Sequence, residues 1–131
     1  MRNKIYILNI KNEKTKEFKK RLYNFVLRLI ECIDELPKDS VSRLIGNQLI
    51  RSGTSILGTY IEGLSASSKK DYINYFHHAL KSTNESKVWV AILRDTKRLK
   101  VNDANWLLSE LDQYARIFTS SLITLKGKKD I

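Results

Sequence analysis

The chain has 131 residues, with 24 lysines and arginines against 14 aspartates and glutamates, for a formal net charge of +10. This length and a hydrophobic fraction of 42% predict one soluble domain with a single core, and exclude a disordered chain. No apolar run approaches the roughly 18 residues of a membrane span. The single cysteine excludes an internal disulfide, and no cleavable signal follows the apolar residues 5–8, so we expect a cytoplasmic protein.

The first predicted element is a short arm over residues 1–12. Its apolar, β-branched stretch from Lys4 to Ile10 does not have a helical pattern. We therefore predict a non-helical arm that pairs with or packs on a neighbouring subunit; a frayed terminus is the alternative. Removing residues 1–11 should then lower the mass or the thermal stability of the oligomer.

Four amphipathic helices are predicted after the arm, over about 14–36, 40–63, 68–97 and 103–126. In the first of them the apolar positions are spaced alternately four and three apart, which is typical of a helix packed in a bundle; these positions are Phe18, Leu22, Phe25, Leu29, Cys32 and Leu36. Pro37 ends this helix, and Asp39 or Ser40 is placed to cap the next. Short connections between such helices predict an all-α fold, an antiparallel up-down-up-down four-helix bundle.

The second helix is unusual because it contains Gly46, Gly53 and Gly58. Each costs about 1 kcal/mol relative to alanine inside a helix. Close approach of another helix, from the same subunit or from a partner, would recover this cost through dispersion contacts. Ser52 and Ser55 lie in the same small-residue region, which we interpret as a close-packing surface.

Polar residues on the second and third helices are predicted to pair. If the turn between them is centred near residue 65 or 66, Arg51 lies level with Leu80, and Glu85 lies about one turn beyond. Arg51 and Gln48 would then reach toward Glu85 in a charge-assisted contact. We interpret this group as structural rather than catalytic, and a Glu85→Gln variant with intact folding and assembly would contradict that role.

Basic residues are concentrated in two stretches. Residues 1–30 hold nine basic and two acidic residues, a net +7, and a second group surrounds the loop after the third helix. Such surfaces attract polyanions, and the predicted nucleic-acid-binding residues are Lys14, Lys16, Lys19, Lys20, Arg21, Arg28, Arg94, Lys97, Arg98 and Lys100. A lysine-rich face that only keeps a small bundle soluble explains the same charge, and the sequence leaves both interpretations open.

No catalytic site is predicted. His77 and His78 are adjacent, so on a helix they point about 100° apart and do not face one metal together. Cys32 falls on the apolar face of the first helix, where a thiol behaves as a small hydrophobe. Neither a phosphate-binding loop nor a nucleophile elbow is present in the sequence.

The stretch NQLIRSGTSILGTYIEG at residues 47–63 resembles the bacterial four-helix bundle proteins associated with intervening sequences in 23S ribosomal RNA genes. That family is also labelled ribosomal protein S23, and it is similar to the accessory variability determinant of diversity-generating retroelements. The resemblance continues through the connection ending in Ser68-Lys69-Lys70-Asp71-Tyr72 and on to Trp89. The matching positions are Gln48, Arg51, Ser52, Ser55, Glu62, Ser68, Asp71, Glu85 and Trp89. Thr59 is a departure, since such proteins usually carry asparagine there.

This resemblance implies a homopentamer without enzymatic activity, cofactor or metal. It also gives a structural or assembly role to Gln48, Arg51, Ser52, Gly53, Ser55, Gly58, Glu62, Asp71, Glu85 and Trp89. Retroelement relatives engage a reverse transcriptase and nucleic acid through a basic barrel. From the charge and the resemblance together we expect an accessory protein that binds RNA or DNA along the phosphate backbone. The alternative is a scaffold that docks an acidic protein or a reverse transcriptase without touching nucleic acid.

Overall fold

Apolar residues spaced three and four apart bring one face of each helix to the core, and the structure, a computed structural model, contains the four helices that this spacing predicts. Helix α1 spans Arg2–Asp34, α2 Ser40–Leu64, α3 Lys69–Asp95 and α4 Val101–Gly127. The structure describes residues 2–127, with side chains from Glu13 onward, and no strand occurs in that part. None of its helices is long and apolar enough to cross a membrane. The predicted all-α four-helix bundle is confirmed.

The amino-terminal segment differs from the prediction. Helix α1 begins at Arg2, so the backbone of residues 2–12 is helical rather than a non-helical arm. Extending an existing helix adds one hydrogen bond per residue fixed, whereas starting one is costly. The β-branched residues of this segment reduce helix stability by well under 1 kcal/mol each, which is too little to stop that extension. Their side chains lie outside the described part, and packing on a neighbouring subunit stays a prediction.

Local hydrogen bonds define where the helices begin and end. The Asp39 carboxylate accepts from the backbone N–H of Ser42 at 2.8 Å and caps α2. The Ser68 hydroxyl accepts from the backbone N–H of Asp71 at 3.1 Å and caps α3. At the other end of α3, Lys97 has a φ of 62°, the left-handed conformation that commonly terminates a helix. The chain can therefore turn sharply into α4.

The helices are arranged in a ring in which each packs on the next and α1 also packs on α4. The predicted seam of α1 is buried from Leu22 to Leu36. A cluster of aromatic rings fills the core near the amino-terminal end of α3, where Phe76 lies 5.7 Å from Phe118 and 5.9 Å from Tyr60, between ring centroids. Interlocking rings of this kind fix the relative positions of three helices.

Three of the four glycines of α2 are explained by packing inside the chain. A Cβ at Gly53 would collide with Leu29 of α1, and one at Gly46 would lie 3.2 Å from Leu36. At Gly63 it would lie 3.0 Å from Tyr75 of α3. Gly58 is different, because it is exposed and nothing lies within 4 Å of the site of a Cβ. The close-packing interpretation therefore holds within the chain for Gly46 and Gly53, and Gly58 has no such contact.

Candidate nucleic-acid interface

The outer face of α1 carries a group of exposed lysines, which we call the lysine row. Its members are Lys16, Lys19 and Lys20, all of them exposed. Lys14 is exposed too, but it lies four residues before Phe18, on the side of α1 that carries the buried seam. None of these lysines forms an ion pair with any side chain of residues 13–127. A lysine in this situation keeps its full charge available to a polyanion.

An exposed apolar strip continues the lysine row along α1. Tyr23, Leu27 and Ile30 are 55%, 45% and 40% exposed. Successive members are four and three residues apart, so they lie on one side of the helix, and Tyr23 follows Lys19 and Lys20 at the same spacing. The outer face of α1 is thus basic toward its amino-terminal end and apolar toward the middle of the bundle.

The arginines of α1 point to a different side, toward α4. Arg21 donates to the Glu110 carboxylate from Nε at 3.0 Å and from Nη2 at 2.9 Å. Its guanidinium also lies 5.2 Å from the centre of the Tyr114 ring. This fork of hydrogen bonds lowers the pKa of Glu110, and burial is the main cause of the raised pKa of Tyr114. Arg21 is therefore committed to a contact between helices.

Arg28 makes the equivalent contact with α4 about two turns further along α1. Its Nη2 donates to Asp103 at 3.3 Å, and its guanidinium lies 4.7 Å from the centre of the Trp106 ring. The same ring is stacked at 6.1 Å on Phe25. Trp106 is therefore engaged between a cation and another ring of its own chain.

The second basic group, around the loop after α3, is largely neutralised by nearby carboxylates. Arg94 pairs with Asp95 at 2.8 Å and Arg98 with Asp39 at 3.4 Å, and Lys100 lies 3.7 Å from Glu35. Lys97 is exposed and pairs with no carboxylate among residues 13–127. The ten predicted nucleic-acid-binding residues thus divide into five paired cations and five unpaired lysines, and three of those lysines form the lysine row.

The polar residues of α2 and α3 form the contact predicted between these helices. Arg51 donates to Glu85 and, at 3.1 Å, to Gln48. The indole N–H of Trp89 donates to the same Glu85 carboxylate at 3.0 Å. The cluster lies at the surface, with the Arg51 side chain 58% exposed. Nothing in it resembles a nucleophile beside a base, which agrees with a structural interpretation.

Beneath this cluster, hydroxyl groups connect the two helices. Ser52 and Ser86, both fully buried, lie 2.8 Å apart between hydroxyl oxygens. Ser82 donates to Ser55 at 3.1 Å, and Ser55 lies 3.2 Å from the Thr59 hydroxyl. Small hydroxyl side chains let α2 and α3 run closer together than α1 and α4 do. The Thr59 hydroxyl thus takes part in this set of hydrogen bonds.

The pairing register differs from the one predicted. Arg51 lies opposite Glu85 itself, and Ser55 opposite Ser82, whereas the sequence estimate put Arg51 opposite Leu80. Side chains on a helix lean toward its amino terminus. In this antiparallel pair, that lean carries the α2 side chains away from the connecting turn and the α3 side chains toward it. The lean shifts the pairing toward higher numbers on α3 by about one position for each helix. The connection is also centred later than estimated, because α2 ends at Leu64 and α3 begins at Lys69.

The remaining residues singled out from the sequence make at most local contacts. Asp71 accepts from the Ser67 hydroxyl at 3.5 Å in the first turn of α3, and Glu62 is exposed near the end of α2. His77 and His78 are both exposed. Cys32 is buried, which raises the pKa of its thiol. Residues 13–127 contain no group of three potential metal ligands.

Tyr23 is a residue of this surface that the sequence analysis does not predict. Most aromatic residues of the chain fall on the apolar seams, where core packing is expected. Tyr23 lies one position after Leu22, which puts it about 100° away from the buried face of α1. That offset, together with lysines three and four positions earlier, is the signal that identifies it.

Comparison with known proteins adds the family and the fold. Residues 14–120 match the family described as 23S rRNA-intervening sequence protein. A crystal structure of a protein of unknown function from the S23 ribosomal protein family of Bacteroides thetaiotaomicron VPI-5482 is similar, with 25% identity and a TM-score of 0.76. The similarity covers 83% of this chain and 97% of that one. No curated protein sequence matches the chain.

Proposed function

Because the chain belongs to the 23S rRNA-intervening sequence protein family, we propose that it is a non-enzymatic, oligomeric accessory protein that binds nucleic acid by its phosphate backbone. The contact surface is the outer face of α1. The paired arginines are not part of it, and neither is the loop after α3, which contacts Glu35 and Asp39 at the other end of α1. This proposal narrows the ten basic residues expected from the sequence to the unpaired lysines of that face.

The observation that carries the proposal is the absence of acidic partners for the lysine row within residues 13–127. Residues 2–20 contain seven basic and two acidic residues, so about half of the net charge lies on less than one sixth of the chain. Concentrated, unneutralised lysines release the condensed counterions of a nucleic acid when they bind its phosphates. Their flexible side chains suit point contacts to phosphates rather than the reading of bases.

The oligomeric part of the proposal is supported by the solvent face of α2. Leu44 and Ile61 are 64% and 43% exposed, and Gly58 lies between them with open space around it. A glycine inside an exposed helix costs about 1 kcal/mol relative to alanine, and close approach of another subunit would offset that cost. Light scattering coupled to size-exclusion chromatography measures the subunit number, and a monomer would contradict this part.

A triple substitution tests the nucleic-acid contact. Replacing Lys16, Lys19 and Lys20 by glutamine should weaken binding to nucleic acid and make it less dependent on salt. The slope of log affinity against log salt should fall by about 2 to 3, since each lost phosphate contact removes about 0.7 to 0.9. Filter binding or fluorescence anisotropy at several salt concentrations gives both quantities.

The matched control removes the same charge elsewhere. A variant with glutamine at Lys38, Lys70 and Lys81 has the same net charge, and all three lysines are exposed. It should retain wild-type affinity to within about two-fold if the surface, rather than the total charge, decides binding. Equal losses in both triple variants, or no binding by the wild type at low salt, would contradict the proposal.

A second candidate function is supported by the exposed apolar strip next to the lysine row. Leu27 and Ile30 are suited to contact a protein, and the lysines would steer an acidic partner or a reverse transcriptase toward them. A pull-down from lysate with and without nuclease separates the candidates. Partners bound through nucleic acid should be lost after nuclease, whereas a directly docked protein should remain.

A further inference from the structure

We propose that Tyr23 stacks on an unpaired base of a single-stranded nucleic acid whose phosphates contact Lys16, Lys19 and Lys20. The ligand class is then single-stranded RNA or DNA rather than duplex. This inference rests on the function proposed above, and it adds a base contact to a surface that otherwise contacts phosphates alone.

The geometry of α1 brings the ring and the lysines together. At a rise of 1.5 Å per residue, Lys20 and Lys19 precede Tyr23 by about 4.5 and 6 Å along the helix, and Lys16 by about 10.5 Å. All three lysines lie on the same side of the helix as Tyr23. Lysine side chains reach several ångströms, so neighbouring phosphates of one strand can contact them while a base between those phosphates lies on the ring.

The Tyr23 ring is available for this contact. It is 55% exposed, and no other ring or guanidinium of residues 13–127 packs against it. Because the exposed face of the ring is not part of the core, a base that stacks on it does not disturb core packing. An aromatic residue among lysines is the arrangement that single-strand-binding surfaces use, because every base has a face that stacks.

Most other aromatic side chains of residues 13–127 are engaged within the chain, and Tyr75 lies on α3 beside Gly63 rather than on the basic surface. Trp106 is engaged by Arg28 and Phe25. Trp89 is half-buried and donates to Glu85. Tyr60 and Tyr114 are buried in the core, and burial raises the pKa of Tyr60 to about 12. Within this part of the chain, stacking on the basic surface depends on Tyr23.

Single strands are favoured over duplex for a simple reason. In a duplex each base is already stacked and paired, and extruding one costs a few kcal/mol. Tyr23 does not line the open groove between α1 and α4, which Lys20, Trp106 and Glu110 border; it lies on a convex helix surface. A ring on such a surface can stack on a base only where the strand is already unpaired.

The test uses a labelled RNA of about 12 nucleotides, the DNA of the same sequence, and each of them annealed to its complement. Fluorescence anisotropy gives the affinity of the full chain and of its Tyr23→Leu and Tyr23→Phe variants. Tyr23→Leu should bind the single strands about ten-fold more weakly, and Tyr23→Phe should match the wild type. Affinity for the duplexes should be lower and unchanged by either variant. Equal effects on RNA and DNA are expected, since the contact uses only base and phosphate.

Two outcomes would overturn the inference: wild-type affinity of Tyr23→Leu for single strands, or duplex binding as tight as single-strand binding. Val88→Ala, which trims an apolar side chain on α3 that is 53% exposed, is the control and should have no effect on affinity. If the triple glutamine variant of the lysine row loses binding while Tyr23→Leu does not, the proposed function stands and the stacking inference fails. If neither variant loses binding, both fail.

Discussion

Two sides of helix α1 use positive charge in opposite ways. Toward α4, Arg21 and Arg28 each donate to a carboxylate and lie over an aromatic ring. On the outer face, Lys16, Lys19 and Lys20 are exposed and unpaired with any side chain of residues 13–127. Adjacent residues in the sequence, Lys20 and Arg21, thus belong to different sides of the helix.

The difference follows from the chemistry of the two side chains. A guanidinium is a planar fork that fits a carboxylate with two hydrogen bonds and stacks on a ring, whereas an ammonium is a compact, strongly hydrated point charge. The loop after α3 follows the pattern in part, because Arg94 and Arg98 are paired with carboxylates and Lys97 is not, while Lys100 lies 3.7 Å from Glu35. The net charge of a stretch is therefore a poor guide to its binding surface. The predictions below test whether the arginine side is structural and the lysine side is not.

The largest effect is expected from Glu110→Ala. This change removes the acceptor for Arg21 and for the hydroxyl of Tyr114, which donates to Glu110 at 2.7 Å. Tyr114 is fully buried, so the loss should lower the free energy of unfolding by about 2–3 kcal/mol. Urea denaturation measures it. Lys20→Ala is the control and should stay within about 0.5 kcal/mol of wild type; similar losses in both variants would erase the distinction between the two sides.

A smaller effect, about 1–2 kcal/mol, is expected from Asp39→Ala. The carboxylate caps α2 by accepting from the backbone of Ser42 at 2.8 Å, and it also pairs with Arg98. Arg98→Gln removes only the ion pair, which is partly exposed at 3.4 Å, and should cost less than about 1 kcal/mol. Thermal unfolding of both variants separates the contribution of the helix cap to stability from that of the ion pair. A larger loss in Arg98→Gln than in Asp39→Ala would show that the pair matters more.

The helices and their packing faces could be predicted from spacing alone. Leu22, Phe25 and Leu29 are buried as the seam of α1 requires. In α4, however, two successive steps of four from Leu107 select Ala115 and pass over Tyr114, which is fully buried while Ala115 is only half-buried. The buried face of a helix is about 100° wide and holds more than one residue per turn. A one-residue-per-turn rule therefore misses some core positions.

The paired state of the cations could not be predicted. Arg21 and Glu110 are 89 residues apart in the sequence, and their contact depends on how α1 and α4 are aligned. The α2–α3 pair shows how sensitive this is, because the estimated register there was about five residues off, although Arg51 and Glu85 were correctly brought together. A cluster of charged residues in the sequence does not indicate how the helices are aligned. The lysine row can therefore be distinguished from the paired arginines only in the folded structure.

The pH dependence of stability should differ between wild type and Glu110→Gln. Arg21 lowers the pKa of Glu110 below its ordinary value, so the pair stabilises the fold above the ordinary glutamate pKa of about 4.3 and this contribution is lost as the pH falls through the lowered value. The difference in unfolding free energy between the two proteins should be constant from about pH 6 to pH 8 and should shrink below about pH 4.5. Urea titrations at each pH measure it. A difference that is independent of pH down to about pH 3 would mean that the carboxylate is not held by Arg21.

Exchanging Lys20 and Arg21 is the smallest change and the most direct comparison of the two sides. Arg21→Lys keeps the charge but loses the fork to Glu110 and the contact with the Tyr114 ring, so it should cost about 1 kcal/mol. Lys20 forms no ion pair within residues 13–127, so Lys20→Arg breaks no contact and should leave stability within about 0.5 kcal/mol of wild type. Nucleic-acid affinity should respond in neither variant by more than about two-fold, because both keep every charge of the outer face. If Lys20→Arg stabilised the fold as much as Arg21→Lys destabilised it, the side chain rather than its position on α1 would decide the role. The division of the helix into a structural side and a binding side would then be wrong.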